Sequence, residues 1–159
     1  MTAKRRETEI YVDAKIPQVR ITREFDAAPA KVYRAHVDPE LLTQWEGPNG
    51  TAMTVDLHDC RTGGAYRYLH TMSNGFEAWF RGCFHDVREN ERIVRTFTFE
   101  GWPDGVALEK LTFEDLGNGR TRLIATSLVD SFEERDAFVA SGMETGINEG
   151  YAKLDALLA

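Results

Sequence analysis

The sequence predicts an α+β domain in which a curved seven-strand antiparallel sheet wraps around a long C-terminal helix. Three observations carry this reading. Between residues 51 and 128 the chain falls into six strand-like runs, separated by SNG, RENE, GWPDG and LGNG, which are turns of hairpin length. No segment there is long enough for the crossover that parallel pairing needs. The last segment, SGMETGINEGYAKLDALLA, has helical spacing and an apolar stripe that a sheet can cover.

The elements follow in order. Residues 1–18 are polar and contain Pro17, so they read as an N-terminal arm or short edge strand, and residues 19–159 form one domain. VRITREF alternates Val19, Ile21, Arg23 and Phe25 as a first strand. The period then changes. Asp26 is a candidate helix start, Pro29 suits a first turn, and Val32, Tyr33, His36 and Val37 share a face. Pro39 ends that helix and opens a short second one, through Leu41 and Leu42 to Trp45. The strand runs are 51–57, 64–71, 76–87, 92–100, 106–115 and 120–128. SFEE is a capping box in which Ser131 and Glu134 satisfy helix N-terminal amides reciprocally, and a break near Ser141 and Gly142 precedes the main helix.

In that last helix Met143, Ile147, Leu154 and Leu158 share one face, with Glu144, Asn148, Glu149 and Asp155 opposite. Gly142, Gly146 and Gly150 line one flank of the stripe. Each glycine inside a helix costs about 1 kcal/mol relative to alanine. They mark either a close approach of neighbouring backbone or room for a guest.

Strand alternation supplies the inward face. Tyr66, Tyr68 and His70 share one side of their strand. Phe80 and Phe84 share another, opposite Trp79. Ile93, Phe97 and Phe99 place Arg95 among apolar neighbours, as Ala107, Leu111 and Phe113 do for Glu109; Leu123, Ala125 and Ser127 align on the last strand. Arg95 and Glu109 belong to one hairpin and can pair diagonally, because isolated charges are rarely buried without a partner. The candidate ligand-binding set is therefore Trp45, Tyr68, His70, Phe80, Arg95, Phe97, Glu109, Leu111, Ser127, Met143 and Ile147.

FDAAPAKVYRAHVDPELLTQWEGP is similar to the N-terminal signature of the activator of heat-shock-protein-90 ATPase homologue-like proteins, a branch of the START-type (SRPBCC, birch-pollen-allergen-like) helix-grip superfamily. DCRTGGAYRY, FRGCFHDV, ERIVRTFTFEG, LEKLTFEDLGNGRTRL and SGMETG followed by YAKLDALLA continue the resemblance over residues 19 to 159. One position departs: members often carry a second aromatic after the tryptophan, where this chain has Glu46. The resemblance implies a helix-grip fold with a cavity between sheet and helix that often binds apolar small molecules, and it implies no particular ligand.

The remaining composition bounds the function. A net charge of −7 disfavours nucleic acid and anionic membrane as partners; the one dense basic cluster, AKRRE near the start, reads as a solvated tail. No run approaches a membrane span, and no apolar region follows the basic start as a secretory signal requires. Two cysteines, Cys60 and Cys83, read as free thiols in the cytoplasm, and the scattered histidines give no metal site. No G-x-S-x-G elbow or phosphate loop is present, so no catalytic residue and no cofactor is assigned. The leading reading is a module binding an apolar or aromatic small molecule. The alternatives are a cyclase-like or aromatase-like enzyme using Glu109, Arg95, His70 or Tyr68, and a co-chaperone-like interaction domain. Trp102, in a turn, is a candidate for capping the cavity mouth or for contact with a second copy in a homodimer.

Overall fold

The computed structural model describes residues 8–159. The AKRRE cluster lies outside them. The described chain runs β1 (Glu9–Val12), β2 (Gln18–Phe25), α1 (Pro29–Val37), α2 (Pro39–Leu42), β3 (Ala52–His58), β4 (Ala65–Thr71), β5 (Glu77–Arg88), β6 (Arg92–Phe99), β7 (Ala107–Gly117), β8 (Arg120–Leu128), α3 (Phe132–Ala140) and α4 (Met143–Leu158). All strand pairs are antiparallel, in the order β1-β2-β8-β7-β6-β5-β4-β3. The curved sheet and C-terminal helix match the expected α+β helix-grip class.

To the seven expected strands the arm adds an eighth. Glu9–Val12 pairs with the free edge of β2, Ile10 opposite Ile21. The bend that permits this is local: the Asp13 carboxylate accepts from the Lys15 and Ile16 amides at 2.7 and 3.2 Å. Arg135 of α3 holds the bend down by donating to the carbonyls of Asp13, Ile16 and Gln18.

The curvature has local causes. Register shifts at Val55/Leu57, Phe84/Asp86 and Asp115/Gly117 insert extra residues, and such bulges bend and twist a sheet. The concave side buries Val19, Phe25, Tyr66, Leu123 and, from α4, Leu154. The α1–α2 unit packs beside α4, with Tyr33 and His36 meeting the Phe113 ring edge-on at 5.6 and 5.2 Å.

Helix ends largely follow the sequence. Pro29 sits in the first turn of α1, but the N-cap is Ala28 and Asp26 does not cap; its carboxylate instead meets Arg120 at 3.3 Å. Asp38 caps α2 through the Glu40 amide at 3.0 Å. Ser131 accepts from the Glu134 amide at 3.1 Å, while Glu134 reaches back to the amide of Asp130 rather than of Ser131.

The three glycines have three different reasons. Gly142 joins α3 to α4 at φ 88°, a left-handed conformation that side chains resist. A Cβ on Gly150 would lie 3.2 Å from the Trp45 carbonyl oxygen, so here the backbone of α4 meets the turn after α2. At Gly146 a Cβ would meet only Pro48, at 3.8 Å. Gly146→Ala is therefore expected to raise stability by up to about 1 kcal/mol, the helix-propensity difference. Gly150→Ala should give none of that gain. Parallel urea melts of the two variants would check this, and equal stabilisation of both would refute it.

Candidate functional site

Between the concave sheet and α4 lies a cavity of about 600 Å³. Volumes of a few hundred to a thousand Å³ are typical of small-molecule sites. The sheet contributes His70 from β4, Phe80 and Phe84 from β5, Arg95 and Phe97 from β6, Glu109 and Leu111 from β7, and Ala125 and Ser127 from β8. The helix contributes Met143, Gly146, Ile147, Gly150 and Tyr151. His36, Trp45, Glu46 and Pro48 from the α1–α2 region and Phe138 of α3 also line it. Gly146 and Gly150 both line the cavity, and Gly150 in addition packs closely against the turn after α2. The close-approach reading of the glycine line holds at Gly150.

A smaller cavity of about 290 Å³ adjoins the first. It lies under Trp102 and α3, and shares Phe97, Phe99, Glu109, Ser127 and Phe138 with the main space.

Of the candidate residues, Trp45, His70, Phe80, Arg95, Phe97, Glu109, Leu111, Ser127, Met143 and Ile147 all line the main cavity. Tyr68 does not. It is buried, and its hydroxyl is 2.6 Å from His58 Nδ1. His58 Nε2 lies 2.7 Å from the Val37 carbonyl, which can only accept, so Nε2 carries the proton and Nδ1 accepts from Tyr68. Alternation placed Tyr68 on the correct face, but a partner from β3 claims it. Burial lowers the His58 pKa and raises that of Tyr68, which keeps both neutral.

Trp45 is fixed by its ring nitrogen, which donates to the Ala35 carbonyl near the end of α1 at 2.9 Å. Its ring stacks on Tyr151 at 6.2 Å and meets His36 at 4.9 Å. Across the space, Phe80 stacks on Phe97 at 5.2 Å and meets His70 at 5.1 Å. Trp79 faces the other side of the sheet, where the Arg67 guanidinium lies 3.7 Å over its ring.

Arg95 and Glu109 sit directly opposite in the β6–β7 register, not diagonally, and their side chains meet at 3.0 Å. The guanidinium also lies 4.9 Å over the Tyr66 ring. Burial works against its charge, but the neighbouring Tyr66, Glu109 and Glu46 outweigh it and hold the group protonated.

Sequence reasoning left Glu46, His36 and Tyr151 out of the site. Glu46 follows Trp45 directly. Burial pushes its carboxyl pKa above the ordinary range, with Arg95 pulling down and Glu109 pushing further up. His36 places Nδ1 2.7 Å from the Val32 carbonyl, so Nδ1 donates and Nε2 is left as an acceptor. Its pKa falls to about 4 through burial, opposed by that hydrogen bond, with Arg95 adding to the fall. His70 is likewise pushed down by burial and by Lys153, whose ammonium donates to the Gly47 carbonyl at 2.8 Å. The departure from the family pattern at Glu46 was the one signal in the sequence that this corner differs.

Among the described residues no group of three or more His, Cys, Asp or Glu side chains could hold a metal ion, and no helix is long and apolar enough to cross a membrane.

The family model described as Activator of Hsp90 ATPase homolog 1-like protein matches residues 26–159. Among solved structures, a Mycobacterium smegmatis protein is similar at 26% identity and TM-score 0.86, with 96% of each chain covered. An Arthrobacter aurescens protein gives 28% and 0.86, covering 94% of this chain and 90% of its own. A Chromobacterium violaceum protein gives 30% and 0.77, covering 89% and 96%. No curated protein matches the chain.

Proposed function

We propose that this chain, which belongs to the Activator of Hsp90 ATPase homolog 1-like family, holds one apolar or aromatic small molecule between its sheet and α4. The observation that carries this reading is the cavity of about 600 Å³ that Gly146 borders. An alanine there would gain helix stability and meet only Pro48, at ordinary contact distance, yet the helix leaves the position bare. Packed aromatic rings form much of the surrounding wall, and the charged groups among the lining residues are Arg95, Glu109 and Glu46, with His36, His70, Thr126, Ser127, Ser141 and Tyr151 adding neutral polar groups. Such a division suits an apolar body with one anchored polar end. A purely interaction-based role gives no reason to keep the space open. The free thiols Cys60 and Cys83 agree with a cytoplasmic setting.

Native mass spectrometry of the protein isolated from cells tests the reading. The expected spectrum shows an adduct of one small organic molecule that disappears on denaturation. A bare chain mass under gentle conditions, with no saturable uptake of added aromatic compounds, would count against it.

A further inference from the structure

We propose that the ligand of this cavity carries a basic nitrogen, and that the Glu46 carboxylate is the group that pairs with it. The proposal rests on the small-molecule reading above and specifies the ligand's chemistry.

The argument starts from the charges in the cavity wall. Arg95 is already met: Glu109 lies at 3.0 Å and the Tyr66 ring faces its guanidinium at 4.9 Å. Glu46 makes no side-chain hydrogen bond or ion pair with any described residue; its backbone amide alone is engaged, with the Leu42 carbonyl at 3.2 Å. A half-buried carboxylate with no hydrogen bond or ion pair of its own is costly, so it either keeps a proton or waits for a cation. Among the side chains lining the cavity two carboxylates face one guanidinium; the nearby Lys153 ammonium is not among the lining residues and is spent on the Gly47 carbonyl at 2.8 Å.

The surroundings point the same way. His36 Nε2 is free as an acceptor, because Nδ1 is spent on the Val32 carbonyl. The faces of aromatic rings attract cations, and Trp45, Phe80, Phe97 and Tyr151 all line the same space. A carboxylate or phosphate ligand would instead add a third negative charge beside Glu46 and Glu109. The ammonium sits beside Trp45 and Glu46, while Arg95, whose charge also reaches Glu46, is held by Glu109 and the Tyr66 ring, and the ligand's apolar body extends along Phe80, Phe97 and Ile147.

Three probes with one body and different ends decide the matter: phenylbutylamine, phenylbutanol and phenylbutyrate, titrated into the full chain by calorimetry at neutral pH. The amine is expected to bind at least about ten-fold more tightly than the alcohol, the scale of a charge-assisted contact. The acid should bind weakest. In Glu46→Gln the gap between amine and alcohol should close while alcohol binding persists. An amine no tighter than the alcohol, or an acid that binds best, overturns the basic-nitrogen proposal and leaves the cavity reading standing. A preference for the amine that survives Glu46→Gln overturns the role of Glu46. Failure of all three probes to saturate overturns both readings. The wild-type ranking alone is decisive, so the test does not depend on the variant folding.

Discussion

Replacing Asp155 with alanine is expected to cost about 3 kcal/mol of folding stability, because it strands a buried guanidinium. Arg23 projects from β2 with its side chain 6% exposed, and Asp155 of α4 takes both terminal nitrogens at 2.9 and 2.6 Å. The guanidinium also donates to the Glu24 carbonyl at 2.9 Å and lies over the Phe25 ring at 4.8 Å. Its Nε has no hydrogen-bond partner, so the site already carries one unmet donor. Removing Asp155 would leave that largely buried charge with the Glu24 carbonyl as its one remaining hydrogen-bond partner among the described residues. Arg23→Met should behave differently. The Asp155 side chain is 40% exposed and can be hydrated when alone, and methionine fills much of the same volume. Urea melts should therefore show a large loss for Asp155→Ala and a small change for Arg23→Met. Equal losses would mean that the pair contributes by attraction alone and that burial of Arg23 is unimportant.

The second large effect is a fall in stability as pH drops from about 6.5 to about 4, centred on His36. The folded protein holds this imidazole at about 4, below its ordinary 6.5, because burial disfavours the charged ring. A base whose folded pKa is depressed is protonated first in the unfolded chain. Acidification therefore pulls toward unfolding, beginning near the ordinary histidine value and saturating below the folded one. The full shift corresponds to as much as about 3 kcal/mol. His58 and His70 are depressed too and act in the same direction. Glu46 acts in the opposite direction, since its raised pKa makes its cost grow as pH rises above the ordinary carboxyl value. The comparison that isolates His36 is wild type against His36→Phe, with unfolding free energy measured across the window. The variant should lose much of the pH dependence. An unchanged slope would show that His36 takes up its proton as readily in the folded state as in the unfolded one.

Much of the fold was legible because its signals are local. Hairpin turns, the prolines at 29 and 39, and the Ser131 cap each act within a few residues, and the corresponding elements lie where alternation and capping put them. The inward placement of Arg95 and Glu109 was legible for the same reason: period two leaves a side chain little choice of face. What could not be read depends on partners distant in sequence. Tyr68 points inward as expected but is engaged by His58 from the preceding strand, β3. Asp155, on the polar side of its helical wheel, turns out to lie beside Arg23, 132 residues away. Glu46 gains its unusual character only when the turn after α2 folds over Arg95 and Glu109. The edge strand from the arm depends on a tether, Arg135, that no local pattern announces.

Hollow space between the sheet and α4 underlies all of the functional argument, and fluorescence titration of aminoanthracene, uncharged at neutral pH, tests it most directly. The wild-type chain should take up one equivalent with a blue-shifted, saturable signal. A double variant, Gly146→Leu with Ala125→Phe, inserts side chains from opposite walls and should abolish that uptake while the chain still melts cooperatively. No saturable uptake by the wild type, or the same titration curve for wild type and filled variant, would contradict the account.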